Sequence, residues 1–77
     1  MNGIEIRALR QRAGLAGHLI CKKTGIARSR LSDIERGYVQ PTSSEIVEIG
    51  RALDELVRAK QELTATAERI GWPASAL

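Results

Sequence analysis

Between residues 28 and 36 the chain sets Arg28, Ser29, Arg30, Ser32, Asp33 and Arg36 close together. These side chains offer forked guanidinium donors, hydroxyls that donate or accept, and a carboxylate that accepts. None of them is a nucleophile beside a base. His18 is the only histidine, so no second one can join it on a metal, and the carboxylates near it are not spaced as ligands. Glycine-rich phosphate loops and catalytic dyad spacings are absent as well. The residues therefore predict no enzyme, no metal and no cofactor, and point to recognition by hydrogen bonds and charge.

The distribution of charge sharpens that reading. Residues 1 to 38 hold eight Lys and Arg against three acids, a net of +5, whereas residues 39 to 77 hold four bases against six acids, a net of −2. A basic head joined to a mildly acidic tail is the pattern of a polyanion-binding unit with a non-binding extension. The 43% hydrophobic content is aliphatic, with no Phe, one Tyr and one Trp. No apolar run approaches the roughly 18–20 residues of a membrane span, and charges occupy the first ten positions where a signal peptide would be apolar. A cytoplasmic protein with no membrane partner is expected. The single Cys21 suits that compartment and reads as a small buried side chain.

Four helical patterns must position the recognition residues. Ile6, Leu9 and Ala13 recur at helical spacing over about residues 3–13, and Gly14 stands where a left-handed cap is useful. A second pattern starts at Leu15, runs through Ile20 and Cys21 and ends at Thr24-Gly25. In the third, over 27–36, a turn of about 100° per residue puts Ala27, Leu31 and Ile34 on one side. Ser29, Ser32, Asp33 and Arg36 fall opposite, with Arg28 at one edge and Arg30 at the other. Thr42 and Glu45 then form a capping box, opening a pattern over about 43–70. Ile46, Ile49, Leu53, Leu56, Lys60, Leu63, Ala67 and Ile70 step by three and four, as a and d positions do. One long helix is expected there, or two helices broken at Leu53-Asp54.

Two short helices joined at Gly25, the second with a polar outer face, make a helix-turn-helix. Arg10, Gly14-Leu15, Ile20, Gly25-Ile26, Arg28-Ser29, Leu31-Ser32, Ile34-Glu35-Arg36-Gly37, Pro41 and the apolar Ile46, Ile49 and Leu53 stand at fixed spacings. From Ile6 to Leu53 the chain resembles the Cro and phage-repressor (XRE) family of helix-turn-helix domains. The resemblance implies an all-α fold: a small lambda-repressor-like helix-turn-helix domain over residues 1–53, with a long C-terminal helix. It also implies that the helix at 27–36 enters the major groove of double-stranded DNA. Arg28, Ser29 and Asp33, with Ser32 beside them, then read bases. Lys22, Lys23, Arg30, Arg36 and Tyr38 then meet phosphates, as do Gly17 through its backbone and His18 near it. Arg10 and Glu35 are expected to pair as a structural bridge. Ala16-Gly17 and Ala27 depart from the family, which has polar caps and a contacting Gln there.

The apolar stripe has two readings. Either its first half packs on the head and its second half, in the C-terminal extension over 54–77, pairs with a second subunit through Leu56, Val57, Lys60, Leu63, Ala67 and Ile70, or the whole stripe folds back along its own head. Trp72 caps that interface or its own helix end. The first reading gives a homodimeric transcriptional repressor, of phage or mobile-element type, on inverted-repeat operators. The alternative is a protein-interaction module, an antitoxin or anti-repressor, gripping a protein partner through the C-terminal helix with DNA binding secondary.

Overall fold

The computed structural model describes residues 1–69 and residue 71. Within them the chain is all-helical: α1 Gly3–Arg12, α2 Gly17–Thr24, α3 Arg28–Glu35 and α4 Ser43–Arg69. Each falls within a residue or two of its expected span, because Ala13, Ala27 and Arg36 serve as caps and lie outside the helices proper. The 27 residues of α4 form one unbroken helix, about 40 Å at 1.5 Å per residue. No break occurs at Leu53-Asp54; Asp54 instead pairs with Arg58 one turn on, at 3.3 Å. Ile70 and Trp72 lie outside the described residues.

Local chemistry sets the turns. Gly25 closes α2 with φ of 78°, a left-handed geometry that costs little only without a Cβ, and its N–H donates to Cys21 O at 2.8 Å. The Thr24 hydroxyl spans the turn, donating to Ile20 O at 2.8 Å and accepting from the Ile26 N–H at 3.2 Å. Gly37 repeats the left-handed stop after α3, and the Tyr38 N–H reaches back to Asp33 O at 2.9 Å. At the start of α4 the capping box closes both ways: Thr42 N–H to Glu45 Oε1 at 2.9 Å, and Glu45 N–H to Thr42 Oγ1 at 3.1 Å. The starts of α2 and α3 carry no such cap. Ala16 and Ala27 have the extended N-cap backbone but no side-chain acceptor, a deficit of about 1 kcal/mol at each helix end.

Packing makes up that deficit. Ile6 of α1, Leu15, Ile20 of α2, Leu31 and Ile34 of α3, and Ile49 and Leu53 of α4 form one buried aliphatic cluster. Each short helix thus contributes to the same core, which is what an eight-residue helix needs in order to persist. Leu56 and Val57 lean on the cluster from α4, and among the described residues nothing beyond Val57 joins it. The first turn of α1 is pressed against the last turn of α3 at Gly3, where a Cβ would collide with the carbonyl oxygen of Ile34. Replacement Gly3→Ala is therefore expected to destabilise the fold by about 1–3 kcal/mol through overpacking, against the helix propensity of alanine, which favours the change by up to about 1 kcal/mol. A thermal melt checks the sign: an unchanged or raised Tm would show that α1 can step away from α3 without loss.

Candidate nucleic-acid interface

Helix α3 turns Leu31, Ile34 and Glu35 inward and leaves Arg28, Ser29 and Arg36 exposed, with Ser32 and Asp33 half-buried between them. The start of α2 lies beside this face. Between the two is a hollow of about 250 Å³ lined by Ala16, Gly17, His18, Cys21, Arg28, Leu31, Ser32 and Glu35. Of the residues assigned to recognition, it brings Gly17, His18, Arg28 and Ser32 around one depression. The hollow has room for a Cβ at Gly17, which would meet Leu31 and Arg10 at ordinary contact distances, 3.7 and 4.0 Å. Cys21 is half-buried in its wall.

A bidentate ion pair underlies the hollow. Arg10 Nε donates to Glu35 Oε2 at 2.8 Å, and Arg10 Nη2 to Glu35 Oε1 at 2.9 Å. A third donor, Arg10 Nη1, reaches Leu15 O at 2.8 Å. One guanidinium thus joins α1, the entry to α2, and α3. Hydrogen bonding to Glu35 raises the Arg10 pKa above its ordinary value, outweighing the opposing effect of burial.

A second bidentate pair engages a residue assigned to phosphate contact. Arg30 Nε donates to Glu45 Oε2 at 3.0 Å, and Arg30 Nη2 to Glu45 Oε1 at 2.8 Å. Nη2 also lies 3.4 Å from Gln40 O. Lys23 is engaged as well, with its Nζ 3.0 Å from Glu55 Oε2 on α4. Among the described residues Lys22, Arg28 and Arg36 make no ion pair, and Tyr38 is 72% exposed on the loop after α3.

The residues assigned to a dimer seam are dispersed. Leu56 and Val57 are half-buried against their own core, and Ala67 is buried within its own chain. Lys60 turns back to the head, its Nζ donating to Ala13 O at 2.8 Å and so capping α1. Leu63 is 58% exposed. The two readings of the extension are thus mixed: the stripe through Lys60 runs along its own head, while Leu63 faces outward.

The Lys60 and Arg30 attachments, like that of Lys23 to Glu55, are features that sequence reasoning missed. A lysine within an apolar stripe was the signal for the first. For the second it was the capping-box carboxylate of Glu45, fixed in place with bonding capacity to spare. Among the described residues no helix is long and apolar enough to cross a membrane, and no three His, Cys, Asp or Glu side chains gather as a metal site.

Two short helices locked at Gly25, the second held from behind by Glu35 and displaying Arg28 and Ser29, define an XRE-like helix-turn-helix domain. The chain belongs to the helix-turn-helix domain family, whose match extends over residues 3–63. Over 73 residues it is 33% identical to a protein of Sinorhizobium fredii (strain NBRC 101917 / NGR234) named as an uncharacterized HTH-type transcriptional regulator, y4dL. That alignment covers 94% of this chain and 37% of the relative, so the chain spans little more than a third of the relative's length. No solved structure matches it.

The Glu45 carboxyl carries a pH signature. Its hydrogen bonds from Arg30 and from the Thr42 backbone lower its pKa from 4.5 to about 2. A carboxyl depressed in the folded state stabilises the fold fully above its unfolded pKa, and that contribution is lost as pH falls from about 4.5 towards 2. A carboxyl-carbon NMR titration is expected to place Glu45 near 2, and Glu45→Gln to flatten part of the acid-side loss of Tm. A midpoint near 4.5 would mean that the Arg30 pair does not form in solution.

Proposed function

We propose that this chain is a sequence-specific DNA-binding transcriptional regulator that inserts α3 into the major groove. The observation that carries the reading is the face of α3 with Arg28 and Ser29 exposed and Ser32 and Asp33 half-buried beside them, on a helix whose opposite face is clamped by the core and by Arg10 through Glu35. Arg28 presents a fork suited to guanine N7 and O6, the serines donate or accept, and Asp33 accepts from cytosine N4. Phosphates are met by the free backbone N–H groups of Gly17 and His18 at the start of α2, and by Lys22, Arg36 and Tyr38. The name of the Sinorhizobium relative agrees with this role.

The regulator acts as a homodimeric repressor on inverted repeats, with half-sites about 34 Å apart, one helical turn of DNA. Occupancy of the operator blocks polymerase. A core of seven buried aliphatic side chains among the described residues gains from a second subunit. Its contact is centred on Leu63, the large apolar side chain left exposed in the outer half of α4.

A second reading has its own observation. An apolar groove of about 330 Å³ runs between the end of α1 and α4, lined by Leu9, Arg12, Ala13, Leu53, Asp54 and Val57. In a protein-interaction module of antitoxin or anti-repressor type, α4 and this groove would grip a partner protein.

Selection of bound duplexes from a random library separates the two readings. Enrichment of an inverted repeat with half-sites about 10 base pairs apart is expected, and loss of that enrichment in Arg28→Ala/Ser29→Ala. Binding with no enriched sequence, or enrichment that survives the double substitution, would sink the base-reading role. For the dimer, Leu63→Glu is expected to shift sedimentation equilibrium to monomer and to weaken operator binding at least tenfold while the head stays folded. An unchanged association constant would remove Leu63 from the interface.

A further inference from the structure

We infer that Arg30 is a positioning residue for the reading helix and that its charge is not available to a phosphate, an inference that rests on the DNA-binding reading above. Arg30 lies in the first turn of α3, two residues after Arg28, and Glu45 lies in the first turn of α4. Their two hydrogen bonds, at 3.0 and 2.8 Å, have the parallel fork geometry in which an Arg and a carboxylate bind most strongly. Glu45 is itself fixed, because Thr42 donates its N–H to the same Oε1 at 2.9 Å. The network therefore runs from the reading helix, through one guanidinium, to the capped end of the longest helix and the Gln40 carbonyl of the intervening loop. Glu35, on the inward face of α3, is held by Arg10. Two clamps from different helices thus set both the tilt and the rotation of α3, and with them the direction in which Arg28, Ser29 and Ser32 point.

Moving Arg30 to a phosphate would be unfavourable. The Glu45 side chain is 17% exposed and ionised at neutral pH, so it would be left half-desolvated and unpaired close to the DNA backbone. The pair is neutral as a unit and adds nothing to counterion release.

The test is the salt dependence of binding to a random-sequence duplex pool, measured for the wild-type chain, for Arg30→Gln and for Arg30→Gln/Glu45→Gln. The double variant keeps the net charge, and an amide at 45 still accepts from Thr42 and from its neighbour at 30. Arg30→Gln alone is expected to weaken binding about tenfold, because Glu45 becomes an unpaired anion. The double variant is expected to recover to within about threefold of wild type with an unchanged slope of log K against log salt. If Arg30 is a phosphate ligand, the double variant stays weak and its slope drops by about 0.9, the loss of one phosphate contact. That result overturns the inference and leaves the DNA-binding reading intact. A wild-type chain that binds no duplex at all overturns both. Thermal melts of each variant separate a binding defect from unfolding.

Discussion

The Arg10–Glu35 bridge is the constraint on which the rest of this small fold depends. Its two short hydrogen bonds join helices 25 residues apart in sequence, and the third arm of Arg10 takes the Leu15 carbonyl at the mouth of α2. Glu35 is buried at 8% exposure, so a carboxylate deprived of its partner there would be a costly isolated charge. Breaking a buried pair costs about 3–5 kcal/mol, which equals the whole net stability that a single small core supplies. The bridge also lies directly beneath the hollow between α2 and α3. The geometry of the recognition face is thus tied to the integrity of the domain, since the same carboxylate closes the inner side of α3.

Two helix starts without side-chain caps are tolerated for the same reason. Ala16 and Ala27 leave backbone donors of α2 and α3 without acceptors from their own side chains, and both helices are only eight residues long. What holds them is tertiary: Ile20, Leu31 and Ile34 in a shared core, the Thr24 hydroxyl across the turn, and Arg10 on the Leu15 carbonyl. The uncapped donors at Gly17 and His18 remain open beside Arg28. An arrangement that weakens α2 in isolation leaves those donors unpaired, which is what the proposed phosphate contact requires.

Much of this fold was legible in the sequence wherever the relevant physics is local. Periodicity located all four helices, Gly14 and Gly25 marked the ends of α1 and α2, and the Thr42–Glu45 box announced α4. The outward row on α3 followed from the same 100° repeat. Side-chain bonds between distant elements were less accessible. Arg30 meets Glu45 across 15 residues, Lys23 meets Glu55 across 32, and Lys60 meets Ala13 across 47. Each depends on the angle at which α4 crosses the head, and no helical repeat encodes that angle. Lys60 shows the consequence most clearly: its heptad position is right for a seam, yet the end of α1 lies within reach and offers a carbonyl with a lone pair to spare.

The charge segregation of the chain takes on a different meaning once folded. A basic first half and an acidic second half suggest a binding head and an inert tail, but two of the six acids of α4 are turned onto the head. Glu45 takes Arg30 and Glu55 takes Lys23, while Glu35 already holds Arg10. Three of the eight basic residues in the first half are thereby paired with carboxylates of their own chain, Lys23 at the open surface, and Arg28 is not among them. An electrostatic face reduced in this way relies less on unselective attraction to a polyanion and more on where its few free donors point. Affinity that comes from phosphates alone is uniform across sequences, whereas a fork aimed at a base edge discriminates. On the proposed reading, this neutralisation leaves discrimination to the free donors of α3, and the two carboxylate clamps hold the direction in which they point.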